Sequence, residues 1–261
     1  MADQSTSKAS GFVWYDVMTT DTTAAKTFYE SVMGWSMADA SLPGRTYIVA
    51  SAGSTIVSGI MPIPEDAVKM GVTPAWMGYI GVADVDAMAT RVKAAGGFIH
   101  RGPEDIPNVG RFAVAADPHG AGFMLFEAKS NEQTVPVAPH TPGHVGWREL
   151  NAGGGAEAFA FYSGLFGWTK ADAIDMGPMG TYQIFAVDGI QVGGIMTKNP
   201  ELPAAYWFYV FNVDAVDAAA ERVVQAGGRI VMPAHEVPGG QWVVRCTDPQ
   251  GAAFGLVAFK R

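Results

Sequence analysis

Val13, Tyr15 and Val17 form one apolar face of a short β-rich stretch, and Trp14, Asp16 and Met18 form the other. A period of two predicts a strand over Val13 to Met18. Thr20-Asp21 then supplies an N-cap, and Ala25, Phe28 and Val32 recur at helical spacing until Gly34. Two β-like stretches follow, Thr46 to Ser51 and Thr55 to Met61, turning at Ala52-Gly53. A polar, proline-containing connection (62–74) leads to a second unit of the same kind. Its strand is Trp76 to Val82. Its helix starts at an Asp84 cap, carries Met88, Val92 and Ala95 on one face, and stops at Gly96-Gly97. Strands Arg111 to Ala116 and Gly122 to Glu127 flank Asp117-Pro118-His119-Gly120, which has the residues of a type I turn.

The whole order then repeats. Trp14-Tyr15-Asp16-Val17, Phe28-Tyr29 and Gly34-Trp35 return as Trp147-Arg148-Glu149-Leu150, Phe161-Tyr162 and Gly167-Trp168. Further on, Trp207 answers Trp76, Gly227-Gly228 answers Gly96-Gly97, and Asp248-Pro249-Gln250-Gly251 answers the first turn. Repetition across half the chain predicts two copies of one domain. We place them at 8–128 and 144–261. A linker at 129–143 holds Pro136, Pro139 and Pro142 and lacks periodicity.

Each copy is long enough to bury its own core. The net charge of -8, with no block of Lys or Arg, argues against nucleic-acid binding. No apolar run is long enough to span a membrane. The polar, Ser-rich start, Met1 to Gly11, reads as a disordered tail and not a secretory signal. The single cysteine, Cys246, cannot form an internal disulfide, so a reducing, cytoplasmic setting is expected.

Taken together, Asp21, Phe28-Tyr29 leading to Gly34-Trp35, the Val-x-Asp-Val-Asp helix start, the Gly-Gly helix end and the Asp-Pro-x-Gly hairpin resemble one family. It is the vicinal oxygen chelate superfamily, the glyoxalase/bleomycin-resistance/extradiol-dioxygenase group, in a tandem two-domain bacterial form. The resemblance covers residues 11 to 259. It implies an α+β fold of two tandem glyoxalase-like domains, each made of two βαβββ units forming a half-open barrel around a cleft.

The resemblance also implies where a divalent metal would be bound: on the first strand and on the third or last strand of the units. Those positions hold Trp14, Gly59, Met77 and Met124 in the first copy. In the second they hold Trp147, Gly194, Phe208 and Gly255. None is a useful donor for a hard or borderline cation, and the five histidines form no ligand-spaced pair. No metal and no cofactor is therefore expected.

The cleft face is instead aromatic and methionine-rich. Trp14, Asp16, Met77, Tyr79, Met124, Trp147, Glu149 and Phe208 are the candidate ligand-binding residues. Asp16 and Glu149, one in each copy, are the candidates for acid/base work. The structural alternative for Asp16 is a pair with backbone or with Arg111 or Arg45. Gly59 and Gly194 are expected to serve a close backbone approach or a bulge in the third strand. Cys246 reads as an inert buried thiol, and His119 as an exposed turn residue. Arg148 faces the helix side among apolar neighbours, with no role evident. The expected partner is a small molecule, bound by a protein that is a monomeric pseudo-dimer or a homodimer. Bleomycin-resistance members of the group set the precedent of sequestration without chemistry. The alternative is a lyase, lactoylglutathione lyase-like, or an extradiol dioxygenase-like enzyme.

Overall fold

The computed structural model describes residues 10–42, 44–129 and 137–261. Most of the expected tail and half of the expected linker lie outside them. The first copy runs β1 (Phe12–Thr19), α1 (Thr22–Met33), β2 (Ser36–Asp39), β3 (Ile48–Ala52) and β4 (Thr55–Pro62), then α2 (Glu65–Lys69). It continues β5 (Ala75–Gly81), α3 (Val85–Ala94), β6 (Phe98–Ile106), β7 (Gly110–Ala116) and β8 (Gly122–Ala128). The second copy runs β9 (Val145–Ala152), α4 (Gly155–Phe166), β10 (Thr169–Asp175), β11 (Thr181–Val187) and β12 (Ile190–Thr197). It ends β13 (Tyr206–Asn212), α5 (Val216–Gln225), β14 (Arg229–Val237), β15 (Gln241–Thr247) and β16 (Ala253–Ala258).

The fold is α+β, with two open eight-stranded sheets. Their orders are β2-β3-β4-β1-β5-β8-β7-β6 and β10-β11-β12-β9-β13-β16-β15-β14. Each sheet is made within one copy of the repeat. The packed bodies are not. One compact body holds the described residues of 1–13, 78–133 and 149–207, and the other holds those of 14–77, 134–148 and 208–261. Each body thus joins one βαβββ unit from each copy.

The helix signals work as read. Asp21 Oδ1 accepts from the backbone N–H groups of Thr23 and Ala24, and Gly34 closes α1 at φ 69°. Asp84 caps α3 in the same way, through Ala87 N at 2.8 Å. Two details differ. Ala95 is exposed at the end of α3, whose buried face is Val85, Met88, Ala89 and Val92. The connection 62–74 contains the short α2. Strands β2 and β6 at the sheet edge gave no signal, because neither has a fully buried residue and neither carries an alternation.

The repeated Phe-Tyr pair is what closes each body. In the second body, Tyr29 of α1 donates its hydroxyl to Asp248 Oδ2 at 3.0 Å and accepts from Trp76 Nε1 at 2.9 Å. Phe28 and Tyr29 pack edge-on against Phe254. Arg222 of α5 caps α1 by donating to the Val32 carbonyl. The first body repeats the plan. Trp207 Nε1 donates to Tyr162 Oη at 3.0 Å, Phe123 packs on Tyr162, and Arg91 donates to the Gly164 carbonyl. The Gly-Gly helix ends make room for these rings. A Cβ on Gly228 would come within 2.8 Å of Phe28, and one on Gly97 within 3.0 Å of Phe161.

The two turn aspartates differ in one bond. Both are buried, and both accept backbone N–H groups of their own turn through Oδ1. Asp248 Oδ2 has Tyr29, whereas Asp117 Oδ2 has no hydrogen-bond partner. Burial raises the pKa of both carboxyls, and for Asp248 the Tyr29 hydroxyl is among the bonds that oppose the rise. A raised native pKa means that the folded chain holds the proton longer than the unfolded chain. The carboxyl's contribution to stability therefore falls as pH rises above about 4. Asp117→Asn should leave stability at pH 7 unchanged or higher and flatten its fall above about pH 4. Asp248→Asn should lose about 1–2 kcal/mol with the Tyr29 bond. Urea unfolding against pH checks both, and equal losses in the two variants would contradict the asymmetry.

Candidate functional site

Strands β1 and β4 pair in parallel, with Asp16 opposite Gly59 and Met18 opposite Met61. Paired residues share a face, so Asp16 points away from Tyr15 and Val17, which are buried on the other side. The Asp16 carboxylate is itself 2% exposed, and a buried carboxylate needs donors. Its Oδ1 accepts from Tyr47 Oη at 2.7 Å and from Trp14 Nε1 at 2.8 Å. The indole N–H also reaches Tyr47 Oη at 3.0 Å. Burial raises the Tyr47 pKa, and the charge of Asp16 raises it further. Tyr47 therefore keeps its proton and acts as the donor. Gly59 makes this possible, since a Cβ there would collide with both Tyr47 Oη and Asp16 Oδ1.

The second copy builds the same device with other donors. Glu149 on β9 is buried. Its Oε1 accepts from Asn151 Nδ2 at 3.1 Å and its Oε2 from Tyr182 Oη at 3.4 Å. Gly194 on β12 vacates the space that the Tyr182 ring fills. These two hydrogen bonds are longer than those of Asp16. The Asp16 group lies in the second body and the Glu149 group in the first.

The remaining candidates fall as follows. Tyr79 and Met124 are buried register partners on β5 and β8, with the Phe126 ring 6.1 Å from that of Tyr79. Met77 and Trp147 are half-buried on β5 and β9. Phe208 is buried on β13. Asp16 is joined directly to Trp14, while Tyr79 and Met124 form a separate cluster in the first body. Arg111, a proposed partner of Asp16, binds Asp86 and Asp105 on the surface instead. Sequence reasoning missed Tyr47 and Tyr182. The signal was present: each stands twelve positions before its strand glycine, in both copies. Arg148 also gains an account. Its Nε donates to Tyr15 Oη at 2.6 Å and its guanidinium lies over that ring, so the charge is held by an aromatic partner from β1. Cys246 is buried, with its thiol pushed up to about 12, and His119 is exposed in its turn.

The residues do not fit a divalent metal. Among the described residues no group of three or more His, Cys, Asp or Glu side chains could hold one. The two strand glycines at implied ligand positions have their side-chain space taken by tyrosines. What the site offers is a buried carboxylate that accepts from a tyrosine hydroxyl and from an indole or amide N–H. Around Asp16, half-buried Trp14, Met18 and Met61 add an apolar surround.

The family model for the Glyoxalase/Bleomycin resistance protein/Dioxygenase superfamily matches residues 11–125 and again 141–256. The chain belongs to this superfamily. A relative from Mycobacterium tuberculosis, whose name glyoxylase CFP32 is itself provisional, is 33% identical over 94% of this chain and 93% of its own. The anthracycline biosynthesis protein DnrV of Streptomyces peucetius is 29% identical over 95% of this chain and 92% of its own. The solved structure of a Mn(II)-bound glyoxalase from Novosphingobium aromaticivorans has a TM-score of 0.64 at 16% identity. It covers 97% of this chain and 83% of that one, and shows the fold alone. No helix among the described residues is long and apolar enough to cross a membrane.

Gly59→Ala should destabilise the chain by about 1–3 kcal/mol by forcing Tyr47 off Asp16. Tyr47→Phe should cost about 1–3 kcal/mol by leaving a buried acceptor short of a donor. In the double variant the losses should be less than additive, because both remove one contact. Full additivity in urea unfolding would contradict the shared contact.

Proposed function

We propose that the protein binds a small apolar or aromatic molecule without a metal, over Asp16 in one body and over Glu149 in the other. Each carboxylate accepts a hydrogen bond from an O–H or N–H of the ligand. The observation that carries this reading is the tyrosine hydroxyl seated in the space above Gly59 and again above Gly194. It turns an implied metal position into a neutral hydrogen-bonding one. The apolar surround suits a flat or irregular ligand. The relative named for anthracycline biosynthesis supports an organic ligand for this chain as well. The site works within a cytoplasmic protein whose two domains, 8–128 and 144–261, are joined by the linker 129–143.

A second reading makes the same carboxylates bases. The burial of Asp16 favours it, because a desolvated carboxylate next to a protonated tyrosine has the parts of an acid/base pair. The relative named as a glyoxylase points the same way. A lactoylglutathione lyase-like or dioxygenase-like activity would then depend on Asp16 or Glu149.

Native mass spectrometry of freshly purified protein, followed by ligand titration, separates the readings. Binding predicts an organic adduct whose affinity drops at least about tenfold in Asp16→Asn or Glu149→Gln, with the unfolding midpoint retained. Turnover of a methylglyoxal hemithioacetal or a catechol, lost in those variants, would favour the enzyme. Collapse of folding in both variants, with no ligand bound by the parent, would contradict both readings.

A further inference from the structure

The turn that follows β15 opens into a small polar cavity of about 240 Å³, lined by Arg229, Thr247, Asp248 and Gln250 between Gly227 and Gly251. All of these residues belong to the second body. Arg229 and Thr247 are register partners on β14 and β15, so their side chains leave the sheet on one face. Asp248 and Gln250 come from the Asp-Pro-x-Gly turn itself.

Two of these groups have no partner among the described residues. The Arg229 side chain is exposed and makes no ion pair or hydrogen bond there. The Gln250 amide oxygen, Oε1, is buried and accepts from no donor. A buried acceptor without a donor is destabilising, and such a group calls for a bound molecule that supplies the hydrogen. Asp248 is different. Its Oδ1 takes the N–H groups of Gln250 and Ala252, and its Oδ2 takes the Tyr29 hydroxyl.

The first copy keeps the turn without these polar groups. A Cβ on Gly96 would stand 3.8 Å from Pro118, and one on Gly227 would stand 3.7 Å from Pro249, so the two turns share one geometry. Phe98 and Ala116 form the register pair there, in place of Arg229 and Thr247, and His119 stands in place of Gln250. The backbone of the turn therefore does not require Arg, Thr or Gln.

We propose that this cavity binds a small α-amino acid as its zwitterion. Arg229 holds the carboxylate, two N–H groups to two oxygens. The ammonium donates to Gln250 Oε1, and the Asp248 carboxylate lining the same cavity favours the positive end. The cavity has room for the amino-acid backbone and a short side chain. It shares no residue with the sites over Asp16 and Glu149 and does not rest on what binds there.

Saturation-transfer NMR titration of the full chain with L-alanine and with propionate tests it, since the two differ by the ammonium. Alanine should bind at least about fivefold tighter than propionate. Arg229→Met should weaken alanine binding at least about tenfold. Gln250→Met should remove most of the preference for alanine and leave the unfolding midpoint unchanged or higher, because the unpaired acceptor is gone. Equal binding of alanine and propionate by the parent protein, or unchanged alanine binding in Arg229→Met, would overturn the inference. Failure of alanine to bind would overturn it as well, and would leave the reading of the Asp16 and Glu149 sites standing. The comparison in the parent protein needs no variant to fold.

Discussion

One hydrogen-bonded clasp governs how the second body is put together. A tyrosine on the first helix donates a hydrogen bond to an aspartate 219 residues further on and accepts one from a tryptophan of the second βαβββ unit. A buried carboxylate is costly without donors, and the tyrosine hydroxyl is one of them. That is why the motifs of the repeat occur together. The Phe-Tyr pair supplies the ring and the hydroxyl. The Gly-Gly helix end clears space for the phenylalanine, and the Asp-Pro-x-Gly turn supplies the acceptor. Each of these features, met alone in a sequence, is weak. In the structure they are parts of one contact between units from different copies. The first body keeps the rings and the tryptophan bond but leaves its aspartate oxygen unpaired. Its clasp is weaker by one bond.

The candidate site follows the same logic at a smaller scale. A glycine on a central strand lets a tyrosine fold over a carboxylate on the neighbouring strand. Both repeats do this, with Asp, Trp and Tyr in one and Glu, Asn and Tyr in the other. Conversion of one donor set into the other preserves a buried acceptor bonded to a tyrosine hydroxyl. A cation site would need anionic or imidazole ligands converging instead.

Much of this was legible in the chain. The offset between Trp14 and Trp147 predicted the duplication, and the caps at Asp21 and Asp84 predicted where helices begin. The alternation through Val13 to Met18 put Asp16 on the face opposite Tyr15 and Val17, where it lies. Strands β2 and β6 were not legible, because they have few buried side chains to impose a period. Tyr47 left only the twelve-residue spacing to Gly59, repeated by Tyr182 and Gly194, and no local period. It precedes its strand, and its role depends on an absent side chain on β4. Arg148 looked anomalous because its partner, Tyr15, is 133 residues away in sequence. Long-range pairs of this kind leave no local pattern.

We propose that a tyrosine bonded to a buried carboxylate fills the side-chain space of Gly59 and again of Gly194, two positions the resemblance implies for metal ligands. Calorimetric titration of chelator-treated protein with Mn2+, Fe2+ and Zn2+ tests it most directly. The account predicts no stoichiometric uptake of any of the three. Uptake of one equivalent per domain, abolished by Asp16→Asn in one and Glu149→Gln in the other, would contradict it.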